Sequence, residues 1–213
     1  MGGRVNRLRK RPAEFPWGLL SALAAELSTC ASRVPIAGYA PRHLAGASSG
    51  FEGVIAPVDI NAITCDAILL ANLERDAGIA VRIALFAGLP PVDGSPARLT
   101  QALLGLLVHA KQSLSGVDDG AIDVETEPDG DRVAIRILDN GPGLSEERLE
   151  RIFDPFSRSP EPNERAGDGL KDGPGLGLAA AYGIFCDHRG TLEVRSRPGE
   201  GTCFVALIPF RGD

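Results

Sequence analysis

Two glycine-bearing stretches hold the residues best suited to chemistry. Leu138-Asp139-Asn140-Gly141-Pro142-Gly143-Leu144 puts a carboxylate at the head of a tight turn. Downstream, Lys171-Asp172-Gly173-Pro174-Gly175-Leu176-Gly177-Leu178 forms a glycine-rich run into an apolar segment that reads as a helix start. A buried carboxylate can accept a hydrogen bond from an exocyclic amine and turn away a ring that carries a carbonyl there. Glycines without a Cβ let backbone approach a ligand closely. The unpaired N–H groups and positive dipole end of a helix suit an anion. Together the two stretches could hold a purine at one end and its phosphates at the other. Each alone also reads as an ordinary turn, since Asp, Asn and Gly are common turn residues.

The elements around these stretches must position them. Ile60 to Asp76 reads as a helix, and Ile79 to Phe86 alternates as a strand. Pro96 to Leu114 is the longest helical pattern, with Leu99, Leu103, Leu106, Leu107 and Ala110 at helical spacing. Ala121 to Glu127 and Arg132 to Leu138 read as adjacent strands, joined by a turn at Pro128-Asp129-Gly130. Ser145 is placed to cap a short helix. A Pro-, Gly- and charge-rich stretch, Asp154 to Gly173, precedes a helix reaching about His188. Strands at Thr191 to Arg197 and Thr202 to Pro209 close the chain. Strands covered by helices on one face predict a two-layer α/β sandwich.

Four segments then stand in order: LDNGPGL (138–144), RIFDPFSRS (151–159), DGPGLGLAAAYGI (172–184) and GEGTCFVALIP (199–209). This series resembles the G1, F, G2 and G3 boxes of the ATP-binding domain of sensor histidine kinases. That domain belongs to the superfamily shared with gyrase, the Hsp90 chaperone and MutL. The resemblance covers roughly Val54 to Pro209. It implies a two-layer α/β (α+β) sandwich of the Bergerat type, with a mixed, mostly antiparallel sheet, helices on one face and a mobile ATP lid. It implies that Asp139 receives the adenine amine, that Gly141 and Gly143 let the turn pass under the base, and that Thr202 assists directly or through water. Gly173, Gly175, Leu176 and Gly177 would form the phosphate end. Asp154 to Lys171 would be the lid, with Phe153 and Phe156 as its anchors. Arg158, Arg165 and Lys171 are then the cations able to meet phosphates, unless each is simply solvated.

The long helix departs from the family pattern. Where the family has roughly Asn-Leu-Leu-x-Asn-Ala, with the second asparagine helping to bind Mg²⁺, this chain has Gly105-Leu106-Leu107-Val108-His109-Ala110. Gly105 offers no side chain. His109 is a weak metal substitute, a direct phosphate donor, or a pocket residue with no metal role, since imidazole suits zinc and copper better than Mg²⁺. Gln112, one turn on, is a further source of an amide oxygen. ATP is therefore the implied cofactor, and Mg²⁺ a doubtful one. His43, in a Pro- and Gly-rich loop without an acidic neighbour, is a poor phosphoacceptor. His188, in Asp187-His188-Arg189-Gly190, reads as structural.

The 213 residues, 44% hydrophobic and 23% charged, describe an ordinary globular protein with room for one domain and an extension. We expect residues 1–51 to be an N-terminal extension with one helix, Pro16 to Val34, as a remnant of a dimerisation region. Residues 52–213 are then the histidine-kinase-like ATP-binding domain. A formal net charge of −6 implies no general affinity for nucleic acid. The basic cluster Arg4, Arg7, Arg9, Lys10 and Arg11 reads as a solvated terminus, or as a contact for an acidic partner or membrane surface. The stretch Trp17 to Ala31 is too short for a membrane span and contains Glu26, so neither span nor signal peptide is expected. Cys30, Cys65, Cys186 and Cys203 show no CxxC spacing and read as reduced thiols of a cytoplasmic protein.

Two function classes follow. The leading one is the ATP-binding domain of a two-component sensor histidine kinase, phosphorylating a histidine on another domain or chain, with kinase chemistry impaired by the missing asparagines. Its partners would be ATP or ADP, a phosphoacceptor-histidine domain or response regulator, and a second copy in a homodimer. The alternative is a non-enzymatic nucleotide-binding or docking module in a signalling complex. An ATP-driven clamp is disfavoured because Pro96 to Leu114 carries no acidic residue. An anti-sigma-factor kinase shares the implied fold, but RIFDPFSRS favours the sensor-kinase branch.

Overall fold

A computed structural model of the chain describes residues 54–73, 78–154 and 176–212. The chain divides into two units, Met1–Cys30 and Ala31–Asp213, and every described residue belongs to the second. The described elements are β1 (Ala56–Val58), α1 (Ile60–Ala71), β2 (Ile79–Leu85), β3 (Val92–Gly94) and α2 (Pro96–Ser113). They continue with β4 (Gly120–Asp129), β5 (Arg132–Asp139), α3 (Glu146–Arg151), α4 (Leu176–Asp187), β6 (Thr191–Ser196) and β7 (Thr202–Pro209).

Five strands form one sheet in the order β2-β4-β5-β7-β6, while β1 and β3 pair separately as a small antiparallel ribbon. Only β2 and β4 run parallel; the other neighbours in the large sheet are antiparallel. A parallel pair needs a crossover, and α2 supplies it. The inward side chains of each strand meet α1, α2 and α4 in one core that includes Ile63, Leu103, Leu107, Ile122, Ile137, Phe185 and Phe204. Burying each such side chain contributes about 1.5–3 kcal/mol.

Local chemistry sets the helix ends. Asp59 caps α1 by accepting from the N–H groups of Asn61 and Ala62. The sequence pattern predicts this helix as far as Asp76, yet it closes at Ala71. Asn72 takes a left-handed conformation, φ 56°, and its N–H returns to Leu69 O; asparagine tolerates that region better than most residues. Ser95 caps α2, with Pro96 in its first turn where a missing N–H costs nothing. Ser145 caps α3, as its position before an acidic turn predicts.

The hairpin between β4 and β5 is one step later than predicted. Asp129 pairs with Arg132, leaving Gly130 and Asp131 as the turn, with Gly130 at φ 64°. The β1–β3 ribbon is absent from the sequence reading, because three-residue strands carry no usable alternation. Cys65 and Cys203 are buried and Cys186 is exposed. Burial pushes the Cys203 thiol up to about 12 and raises Cys65, so neither is a ready nucleophile.

The α2–α4 packing is fixed at its start by His188. It takes the Ser95 N–H on Nε2 at 3.0 Å, and Nδ1 lies 2.7 Å from Ile184 O. Arg98 of α2 bonds Asp187 of α4 at 2.6 Å alongside. The expected structural role of His188 thus has a physical form: it ties the end of α4 to the beginning of α2.

Candidate nucleotide site

The site lies where one row of the sheet changes character. Cross-strand registers align Ile83, Val124, Ile137, Phe204 and Val194 as an apolar row facing the helices. One step along, the row is Val81, Ile122, Asp139, Thr202 and Ser196. Three polar residues therefore replace core residues at one end of β5, β7 and β6. Inward polar groups are costly unless satisfied, so their partners carry the argument.

Asp139 is 6% exposed and Thr202, directly across from it, 3%. One carboxylate oxygen of Asp139 is fully used. Its Oδ1 accepts from the Gly141 N–H at 2.9 Å and from the Ser113 hydroxyl at 2.9 Å. The other oxygen, Oδ2, is buried and has no hydrogen-bond partner among the described residues. Burial raises the Asp139 pKa, and the donations from Ser113 and Gly141 pull it back. A buried acceptor with nothing to accept is what a site for an incoming N–H donor requires.

Ser196 joins the two loops beside it. Its hydroxyl donates to Gly201 O at 2.6 Å and accepts the Leu144 N–H at 2.8 Å. Thr202 Oγ1 lies 3.1 Å from it. Because the Ser196 proton goes to Gly201, the Thr202 hydroxyl donates to Ser196 and leaves its own lone pairs available. Two glycines make this closeness feasible. At Gly143, φ 68°, a Cβ would fall 1.9 Å from Arg197 O; at Gly201, φ 87°, it would fall 2.0 Å from Asp139 O. At Gly141 a Cβ would meet Asp139 Oδ1 at 2.7 Å and so disturb the carboxylate itself.

The other end is different. His109 is partly buried and stands edge-on to Phe204, with ring centroids 5.5 Å apart. Burial, reinforced by the positive charge of Arg148, lowers its pKa to about 4, so it is neutral at physiological pH. Gly105 lies where α2 touches the first turn of α4, and a Cβ there would sit 3.0 Å from Gly177 O. Gln112 is exposed. Among the described residues no three His, Cys, Asp or Glu side chains converge as metal ligands. A neutral imidazole and a missing side chain do not suit a hard cation that wants oxygen, so the described donors do not fit Mg²⁺.

Leu176 opens α4 and Gly177 follows in its first turn. Phe153 stacks on Tyr182 of α4, centroids 5.1 Å apart, which fixes the chain just before the predicted lid. Arg158, Lys171, Gly173 and Gly175, together with Phe156, Arg165, His43 and Cys30, lie outside the described residues. Ser113 and Ser196 are the residues that sequence reading missed. Ser113 sits one turn beyond His109 on the same helix face, but only the seat of α2 on the sheet brings it to Asp139. Ser196 could be found only from the β6–β7 register.

Residues 94–212, more than half of the chain, match the family model "Histidine kinase-, DNA gyrase B-, and HSP90-like ATPase". The chain belongs to this family. Among its relatives, the sensor histidine kinase ZraS of Escherichia coli (strain K12) is 30% identical over 170 residues, 79% of this chain and 32% of that protein. The chain thus spans about a third of the length of the curated relative it matches. Among solved structures, full-length ShkA in complex with AMPPNP aligns with TM-score 0.60 and 28% identity, over 78% of this chain and 33% of that one. The mycobacterial sensor histidine kinase MprB aligns with TM-score 0.60 and 23% identity, over 75% of this chain and all of that one, which speaks to the fold. The described domain is a histidine-kinase-type ATP-binding domain: a two-layer α/β sandwich with a mixed, mostly antiparallel sheet.

Proposed function

We propose that the chain binds an adenine nucleotide at the polar end of β5, β7 and β6, as the ATP-binding part of a two-component sensor kinase. The unpartnered, buried Oδ2 of Asp139 carries this reading. It accepts the exocyclic amine of adenine, while Thr202 offers lone pairs to the base or to a bridging water. The Gly141–Gly143 turn passes beneath the ring. Leu176 and Gly177 at the start of α4 would present backbone N–H groups to the phosphates, and Gly173, Gly175, Arg158 and Lys171, outside the described residues, are the further phosphate-binding candidates of this reading. The bound nucleotide would supply the phosphoryl group for a histidine on another domain or chain, with a response regulator downstream. Residues 52–213 form this domain, residues 1–51 are an extension, and a homodimer would place two such domains together. No described helix is long and apolar enough to cross a membrane, and we place the domain in the cytoplasm.

One observation favours a second reading. His109 is neutral and packed on Phe204, and Gly105 has no side chain, so this chain lacks the amide oxygens that the family resemblance associates with Mg²⁺. A module that binds nucleotide with weak metal coupling, and docks a signalling partner without rapid phosphotransfer, fits that end of the site.

The experiment for the main reading is calorimetric titration of ADP into the wild type and Asp139→Asn. We expect the substitution to weaken ADP by roughly 1–3 kcal/mol, the scale of a hydrogen bond to a charged group. Unchanged affinity would remove Asp139 from the base site.

A further inference from the structure

The carboxylate of Asp139 must be held as well as present. A carboxylate free to rotate would offer either oxygen, in any direction, to a base. In this structure one oxygen is occupied from two sides. The Gly141 N–H reaches Oδ1 from within the turn and the Ser113 hydroxyl reaches it from the last turn of α2, each at 2.9 Å. Ser113 is the link between the long helix and the sheet end at this point. Its hydroxyl also lies 2.8 Å from Ala110 O, one turn back in its own helix. It has one proton for two acceptors, and the charged carboxylate is the stronger acceptor. The fit is close on all sides, because a Cβ at Gly141 would stand 2.9 Å from Ser113 Oγ.

We propose that Ser113 is a positioning residue for base recognition, fixing Oδ1 of Asp139 so that Oδ2 alone is aimed at an exocyclic amine. This rests on the adenine reading above. Ser113 touches the carboxylate rather than the base, so its effect appears as selectivity. Guanine presents a carbonyl where adenine presents an amine, so in the same pose it sets an acceptor against the aimed carboxylate oxygen.

The test is to measure ADP and GDP affinity by calorimetry for the wild type, Ser113→Ala, Asp139→Asn and the double substitution. Loss of about one hydrogen bond predicts that Ser113→Ala weakens ADP about fivefold and leaves GDP unchanged. In the Asp139→Asn background, Ser113→Ala should have no further effect on ADP, since contacting residues are non-additive. Ser113→Cys keeps the shape with a weaker donor and should fall between. It also reads the same ratio should Ser113→Ala fail to fold. Parallel loss of ADP and GDP, or the same loss in both backgrounds, would reduce Ser113 to a cap of the Ala110 carbonyl and overturn the proposal. If Asp139→Asn alone leaves ADP unchanged, the adenine reading fails instead.

Discussion

The base end and the metal end of this site are built on opposite terms. At the base end, Asp139 and Thr202 are buried and Ser196 is partly buried; hydrogen bonds hold all three, and one oxygen of Asp139 is left unused. Asp139, Thr202, Ser196, Gly143 and Gly201 form a single connected unit in which glycines allow backbone contacts that no side chain could permit. At the metal end, the positions where the family resemblance expects asparagines hold a glycine pressed against α4 and a neutral histidine packed on Phe204. The first region carries the cost of a buried carboxylate oxygen without a partner among the described residues, a cost that the proposed adenine amine would relieve. The second has exchanged polar atoms for packing. On the proposed function, recognition of a base and handling of metal-bound phosphates would be separable within one fold.

The largest effect that would break this contrast is expected at Gly201. Replacing it with alanine combines a positive φ with a Cβ placed on Asp139 O. We expect Gly201→Ala to lose about 3 kcal/mol of stability, the sum of left-handed strain and overpacking. Urea unfolding measures it, and a loss below about 0.5 kcal/mol would mean that the two loops are not packed as described.

A somewhat smaller effect distinguishes the two ends by pH. His109 titrates near 4 in the folded chain, below its ordinary value of 6.5. Between these values the unfolded chain binds a proton that the folded chain refuses, so stability is lost as pH falls. Passing from pH 7.5 to 4.5 should cost about 2 kcal/mol through this group. His109→Gln should flatten that loss. Asp139 acts in the opposite sense: burial raises its pKa, so the folded state gains its proton before the unfolded state and acidification returns stability. Asp139→Asn should therefore steepen the acid loss while His109→Gln reduces it. Identical pH profiles for the two variants would contradict the electrostatic difference between the ends.

Much of the turn geometry around Asp139 and Thr202 was legible in the sequence because it is local. Asp139-Asn140-Gly141 and Gly199-Glu200-Gly201-Thr202 are contiguous turns whose residue types report their backbone needs. The core face of α2 was legible from periodicity, and the cap at Ser145 from position. Ser113 and Ser196 were not, because each acts through a residue distant in sequence, fixed only by the helix's seat on the sheet or by strand register. The end of α1 at Asn72 escaped because Leu73-Glu74-Arg75-Asp76 after it is as compatible with a helix as the residues before it. The replacements at Gly105 and His109 were visible as departures, but their packing was not. A side chain at 105 would press on Gly177, so restoring asparagine there requires α2 and α4 to separate slightly. His109 is the cleaner position to restore.

That position offers the most direct measurement: titration of a non-hydrolysable ATP analogue with and without Mg²⁺, for the wild type and His109→Asn. The account predicts that the wild type binds without metal, that Mg²⁺ strengthens it less than about threefold, under 1 kcal/mol, and that His109→Asn increases this enhancement. Strong Mg²⁺ enhancement in the wild type, undiminished relative to His109→Asn, would contradict it and show that the metal end is as complete as the base end.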